Sequence, residues 1–217
     1  MLAKALFSLV VLLAIGAAAT TCYGYPTSLN FIPTAETVGA NNLLLEFTNY
    51  GYSTMCTTES TVGVLSQFGL GDRLEFGADK YETEEYSETY LNGKFKLLPE
   101  NGYTPALAVG MMDVNRLSVP TFFSVVSKTL GSVRTHVGFI QGSYTHGMMA
   151  GIDLDISEKL WFGADYLPGD ENHFRLGLSH TLGPDSSVLL TLGAPNNRNV
   201  GTTELGVTFS TTISLGK

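Results

Sequence analysis

From Asn42 onward, apolar and polar residues alternate in short runs separated by Gly, Pro, Asn, Asp and Ser, and no window sustains a helical period. In the last run, Leu205, Val207, Phe209, Thr211, Ile213 and Leu215 share one face, while Glu204, Gly206, Thr208, Ser210, Thr212 and Ser214 share the other. Read in this way, the chain predicts strands at 42–50, 60–68, 73–81, 90–98, 104–113, 121–130, 133–144, 147–156, 159–167, 172–180, 187–193 and 203–215. These twelve strands are an even number, which brings both ends of a sheet to one side for closure, and many have the roughly ten residues that a tilted membrane-spanning strand needs. Short connections are expected at Gly69–Asp72, Pro168–Glu171 and Gly183–Ser186.

Alternation alone does not say which face is wet, because a soluble barrel or sandwich also alternates but turns its apolar face inward. Charge placement favours a membrane barrel. Arg73, Glu75, Gly77 and Asp79 oppose Leu74, Phe76 and Ala78, and Asp165 opposes Leu160, Phe162, Ala164 and Tyr166. Across the polar faces stand seven acids (Glu46, Glu75, Asp79, Asp153, Asp155, Asp165, Glu204) and six bases (Arg73, Lys94, Lys96, Lys128, Arg134, Arg175). Such nearly balanced charges, mixed with glycines, suit a narrow, water-containing lumen in which opposite charges pair. The expected fold is therefore all-β: a closed antiparallel up-and-down transmembrane β-barrel of about twelve strands, with a narrow or occluded interior rather than a wide pore. The competing reading is a secreted soluble β-protein that binds sugars. A short echo, Leu74-x-Phe-Gly-Ala-Asp79 against Leu160-x-Phe-Gly-Ala-Asp165, reads as two strands solving one packing problem.

The first residues change the picture by giving an address. Met1 to Lys4, an apolar run from Ala5 to Ile15 and small residues from Gly16 to Ala19 have the three-part form of a secretory leader, with cleavage after Ala19 or Gly24. Residues 1–24 are thus expected to be a leader and 25–217 one barrel domain, exported to a bacterial outer membrane. The apolar run is shorter than a spanning helix requires. Cys22 and Cys56 are the only cysteines, so no disulfide scaffold is implied. A net charge of −8 excludes nucleic acid as a partner, and 24 glycines with 15% charged residues suit an all-β chain rich in tight turns. Outer-membrane lipid is the expected surrounding.

Four stretches carry a likeness to a known family: Asn30-Phe-Ile-Pro-Thr-Ala-Glu36, Phe68-Gly-Leu-Gly-Asp-Arg-Leu-Glu-Phe-Gly77, Gly93-Lys-Phe-Lys-Leu-Leu-Pro-Glu100, and Pro105-Ala-Leu-Ala-Val-Gly110 leading through Asp113 to Ser127-Lys128. In residues and order, from about 25 to 145, the chain resembles bacterial outer-membrane barrel proteins of the YjbH type. The resemblance implies a barrel and a link to export or surface retention of exopolysaccharide, with polysaccharide or a secretion complex as partner. The chain is shorter than the long members of that family. It also ends Ser214-Leu215-Gly216-Lys217, without the terminal aromatic common in outer-membrane barrels; Phe209 is the nearest.

Candidate chemistry is sparse. Glu82, Glu84, Glu85 and Glu88, interleaved with Tyr81, Tyr86 and Tyr90, form an acidic loop able to collect divalent cations or present tyrosines to sugars, although a solvated loop explains them as well. His136, His146, His173 and His180 lack metal-ligand spacing, so no metal or other cofactor is expected. Ser143 and His146 are the pair to consider for a lipid-modifying enzyme, but residues three apart on a strand face opposite ways. Asp153 and Asp155 share a face and read as lumen ion-pair partners. The chain is expected to be no enzyme, with no catalytic residues, acting as a structural element or narrow conduit.

Overall fold

The computed structural model describes residues 26–53, 58–83, 87–115, 120–143 and 145–216. The expected leader, Cys22, Cys56, Glu84 and Glu85 lie outside the described residues. Twelve strands follow one another: β1 (Asn42–Ser53), β2 (Thr58–Leu70), β3 (Leu74–Glu82), β4 (Ser87–Leu98), β5 (Ala106–Met112), β6 (Thr121–Leu130), β7 (Val133–Gln141), β8 (His146–Ser157), β9 (Leu160–Tyr166), β10 (His173–Gly183), β11 (Ser186–Pro195) and β12 (Glu204–Ser214). Each pairs antiparallel with its neighbours, and β1 pairs with β12 from Asn42↔Ser214 to Tyr52↔Glu204, so the sheet closes into an up-and-down barrel. Closure leaves no edge strand unpaired.

Period-two alternation sets which side chains face out. Phe47, Val64, Phe76, Leu91, Phe122, Val137, Phe139, Ile152, Leu176, Leu190 and Leu205 stand exposed around the whole circumference. An apolar band on the outside of a closed sheet is stable against hydrocarbon and not against water, which identifies an outer-membrane β-barrel. At the closing seam Phe47 of β1 meets Phe209 of β12 on this outer face, ring centroids 6.5 Å apart.

The two rims differ. At one, the connections 71–73, 131–132, 158–159 and 184–185 are tight, with 99–105 the longer exception, and both ends of the barrel chain lie here. At the other, β5 leads to β6 through 113–120, β9 to β10 through 167–172, and β11 to β12 through 196–203. The acidic segment is less of a loop than expected: Glu82 ends β3 and Glu88 lies within β4. Tyr81 and Tyr90, expected in the acidic loop, are buried inside, ring centroids 5.9 Å apart.

The interior also departs from expectation in one sector. Ala106, Ala108 and Met112 of β5, Phe123 and Val125 of β6, Ile140 of β7 and Met149 of β8 point inward and form an apolar cluster. Strands β5 and β6 are apolar on both faces there, so the lumen is not uniformly polar. The remainder of that cluster is Leu167, just past β9, together with Leu29, Ile32 and Ala35, which precede the first strand.

Candidate functional site: a lumen filled by the N-terminal segment

Residues 27–38 run inside the barrel. A peptide in a lumen must have its main-chain N–H groups satisfied, and this one first satisfies some by folding on itself. Ser28 bridges Pro33, Leu29 N–H donates to Ile32 O at 2.9 Å, and Thr34 N–H donates to Thr27 O at 3.2 Å. The result is a small hairpin with Asn30 and Phe31 at its tip. Gly39 and Asn41, both at positive φ (81° and 56°), then turn the chain into β1, a conformation that Gly and Asn tolerate best.

Wall side chains take the remaining donors. On β3, Glu75 accepts Thr27 N–H at 2.7 Å and Val38 N–H at 2.9 Å, and also the Thr27 hydroxyl. Its neighbour Lys94 on β4, 3.6 Å from that carboxylate, donates to Thr27 O at 2.8 Å. On β9, one oxygen of Asp165 accepts from Asn30, Phe31 and Ile32 N–H at 3.0, 2.7 and 3.2 Å. Phe31 packs edge-on against Tyr50 (4.9 Å between centroids), and the Arg175 guanidinium lies 3.5 Å from its ring centre. Arg175 is itself paired with Glu204 through Nε at 2.9 Å and Nη2 at 3.1 Å.

A third anchor crosses four strands, β6 to β9. Ala35 N–H donates to Ser127 Oγ at 3.0 Å; Ser127 lies 2.8 Å from His136 Nδ1; His136 Nε2 lies 2.6 Å from Asp153; and Trp161 Nε1–H donates to the other Asp153 oxygen at 3.0 Å. Asp153 can only accept, so a neutral His136 carries its proton on Nε2, Ser127 donates to Nδ1, and a Ser127 lone pair is left for Ala35. Serine, histidine and aspartate thus stand in the order used for acyl transfer. Ser127 and His136 are nevertheless buried, and the nucleophilic oxygen is occupied by the hairpin. Ser143 and His146 are both exposed at the other rim, with no hydrogen bond between them among the described residues.

Of the predicted lumen charges, Glu46, Glu75, Asp79, Lys94, Asp153, Asp165, Arg175 and Glu204 face inward, and Lys96 and Arg134 face inward at the tight-turn rim. Three do not belong with them. Arg73 stands exposed in the β2–β3 turn. Lys128 shares the outward face of β6 with Phe122 and Val126 and reaches the Asn101 carbonyl at 2.6 Å; the alternation there shifts by one from the face assumed. Asp155 stands exposed where β8 bulges before its turn. Glu82 pairs with Lys80 in solvent at 3.1 Å, Glu88 accepts the Tyr90 hydroxyl, and no metal-holding cluster occurs among the described residues.

Small residues leave room for the hairpin. A Cβ at Gly151 would stand 2.6 Å from Leu29 and 2.9 Å from Ile32, and one at Gly177 would strike the Asn30 side chain. A cavity of about 60 Å³ remains beside the tip, walled in part by Glu46, Tyr50, Tyr81 and Thr208, with room for water and none for a sugar. In the sequence the 30–36 stretch stands out only for its family likeness. The available signal was Leu29, Phe31 and Ile32 in an uncharged run from Pro26 to Ala35 ahead of the first strand, a run ill suited to water.

Neither a family model nor a curated protein matches the chain in sequence. Among solved structures it is similar to the KdgM porin, with 9% identity, a TM-score of 0.58, and 77% of this chain covering 98% of that one. It is similar also to KdgM porin in complex with disordered oligogalacturonate, with 8% identity, a TM-score of 0.56 and the same coverage. The chain therefore has the porin-like fold of outer-membrane barrels.

Proposed function

We propose that this outer-membrane barrel is a non-enzymatic, narrow conduit held closed at rest by its own N-terminal hairpin, and that it belongs with the YjbH-type barrels tied to export or surface retention of polysaccharide. The observation that carries the closed conduit is the seating of residues 27–38 in the lumen by hydrogen bonds from main chain to wall side chains. A purely structural barrel could fill its lumen with its own strand side chains. Here the filling is a segment that precedes the first strand and belongs to none of the strands. The link to polysaccharide rests on the four YjbH-like stretches. Tight turns and chain ends face the periplasm in barrels of this kind, so the hairpin enters from the periplasmic rim.

Planar-bilayer recording tests the reading. The full barrel is expected to be nearly silent, and a variant lacking residues 26–38 to conduct in small, uniform steps. A silent deletion variant that still shows heat-modifiable migration would remove the conduit and leave a structural barrel; a full barrel that conducts steadily would remove closure at rest.

A further inference from the structure

The hairpin is held almost everywhere by its own neutral N–H groups donating to wall acids. Glu36 reverses this arrangement. Its carboxylate, on the departing limb of the hairpin, lies between two wall cations on strands that are not neighbours: Oε2 is 2.9 Å from Lys96 Nζ of β4, and Oε1 takes the Arg134 guanidinium of β7. Arg134 also approaches Glu100 at 3.3 Å. The three side chains at this junction remain partly open to water, Glu36 at 39%, Lys96 at 14% and Arg134 at 25%. Arg134 Nε, by contrast, is shielded and has no hydrogen-bond partner among the described residues.

A spare Nε beside an engaged Nη2 is one edge of the guanidinium fork, the edge that grips a carboxylate with two parallel bonds. Glu36, tethered to the hairpin, engages only part of it. Withdrawal of the hairpin would take away the carboxylate between Lys96 and Arg134, and two cations without it attract an anion into the mouth.

We propose that Lys96 and Arg134 form a carboxylate-binding site at the periplasmic mouth, filled in cis by Glu36 in the closed barrel and taken by the carboxylate of a solute that competes with the hairpin for it. The proposal rests on the closed-conduit reading and adds the chemical class of the solute and the means of release. A ligand that binds only the hairpin-withdrawn state shifts the population toward it by its differential affinity.

The test uses the full barrel in detergent at constant ionic strength. Trp161 is the sole tryptophan and packs against the cluster containing Leu29, Ile32 and Ala35, so its emission reports hairpin seating. Sodium glucuronate, sodium acetate and glucose are titrated separately. Both carboxylates are expected to give a saturable change and glucose none; a change with glucuronate alone narrows the solute to an acidic sugar, still through the same pair. Lys96→Met and Arg134→Lys, the second keeping charge but losing the fork, should each raise the half-saturating concentration about tenfold, and Glu36→Gln should lower it by a similar factor. Equal response to glucose, unchanged half-saturation in Lys96→Met and Arg134→Lys, or a flat titration in Glu36→Gln would overturn the site. Conductance of the 26–38 deletion separates the two readings. A conducting deletion with flat carboxylate titrations of the full barrel and of Glu36→Gln keeps the conduit and removes the site. A silent deletion with Lys96-dependent titrations does the reverse.

Discussion

Glu75 and Asp165 hold one hairpin from two separate walls, β3 and β9. Glu75 joins its two ends, taking Thr27 and Val38 N–H on different oxygens, while Asp165 gathers the three N–H groups of its tip on a single oxygen. Because β3 and β9 stand six strands apart in a ring of twelve, the hairpin spans the lumen. Hydrogen bonds to a charged acceptor contribute about 1.5–3 kcal/mol each. Asp165→Ala should therefore weaken seating by at least about 3 kcal/mol, on the order of a hundredfold in the closed-to-open ratio, seen as more frequent conductance steps in an intact barrel.

Gly151→Val places methyl groups where Leu29 and Ile32 lie. The strand can accept valine, so the barrel should still assemble and migrate as a folded species. The hairpin should be displaced, with Trp161 emission moving to longer wavelength. Unchanged emission would mean that the contact has slack enough to absorb the side chain.

Partial burial tends to raise the Glu36 carboxyl, but the hydrogen bond from Lys96 and the charges of Arg134 and Lys96 outweigh it and hold the pKa below the ordinary 4.5. The Thr129 N–H, with its hydroxyl and the charges of Arg134 and Lys128, likewise holds Glu100 below 4.5. A carboxyl lowered in the seated state contributes above its ordinary value, and the contribution is lost as pH falls through the lowered one. Trp161 emission should stay constant from neutral pH to about 4.5 and change only below it, with a smaller change in Glu36→Gln.

The Ser127–His136–Asp153 chain holds the Ala35 N–H of the hairpin, and labelling separates that use from hydrolysis. A serine-reactive fluorophosphonate should leave both the full barrel and the 26–38 deletion unlabelled, whereas Ser127→Ala should cost seating about 1 kcal/mol by stripping the acceptor from Ala35 N–H. Covalent labelling of the deletion variant that disappears in Ser127→Ala would instead establish a masked nucleophile.

The outer band makes its own demand. Val137, mid-strand on β7, faces lipid, and Val137→Arg should destabilise the barrel in bilayers by about 2–4 kcal/mol in urea titrations. A soluble barrel would tolerate an exposed arginine there.

The sequence by itself determined the strands. Period-two alternation survives any arrangement of neighbours, so the run from Glu204 to Leu215 already separated Phe209, facing out, from Thr208, facing in, and the bounds of β6, though not the face of Lys128, were legible to the residue. The same alternation placed Asp165 and Glu75 inside. It could not say what they hold, since Leu74-x-Phe-Gly-Ala-Asp79 and Leu160-x-Phe-Gly-Ala-Asp165 read alike, yet Asp79 accepts from Gln67 and Asn92 of the wall while Asp165 accepts the hairpin tip. Nor could it join Ser127, His136 and Asp153, which meet only through the register of β6, β7 and β8. The filling of the lumen was decided by tertiary structure alone: a segment without strand periodicity carries no face to read, and only closure of the barrel creates the dry sector beside Val125 and Met149 that Leu29 and Ile32 leave water to reach.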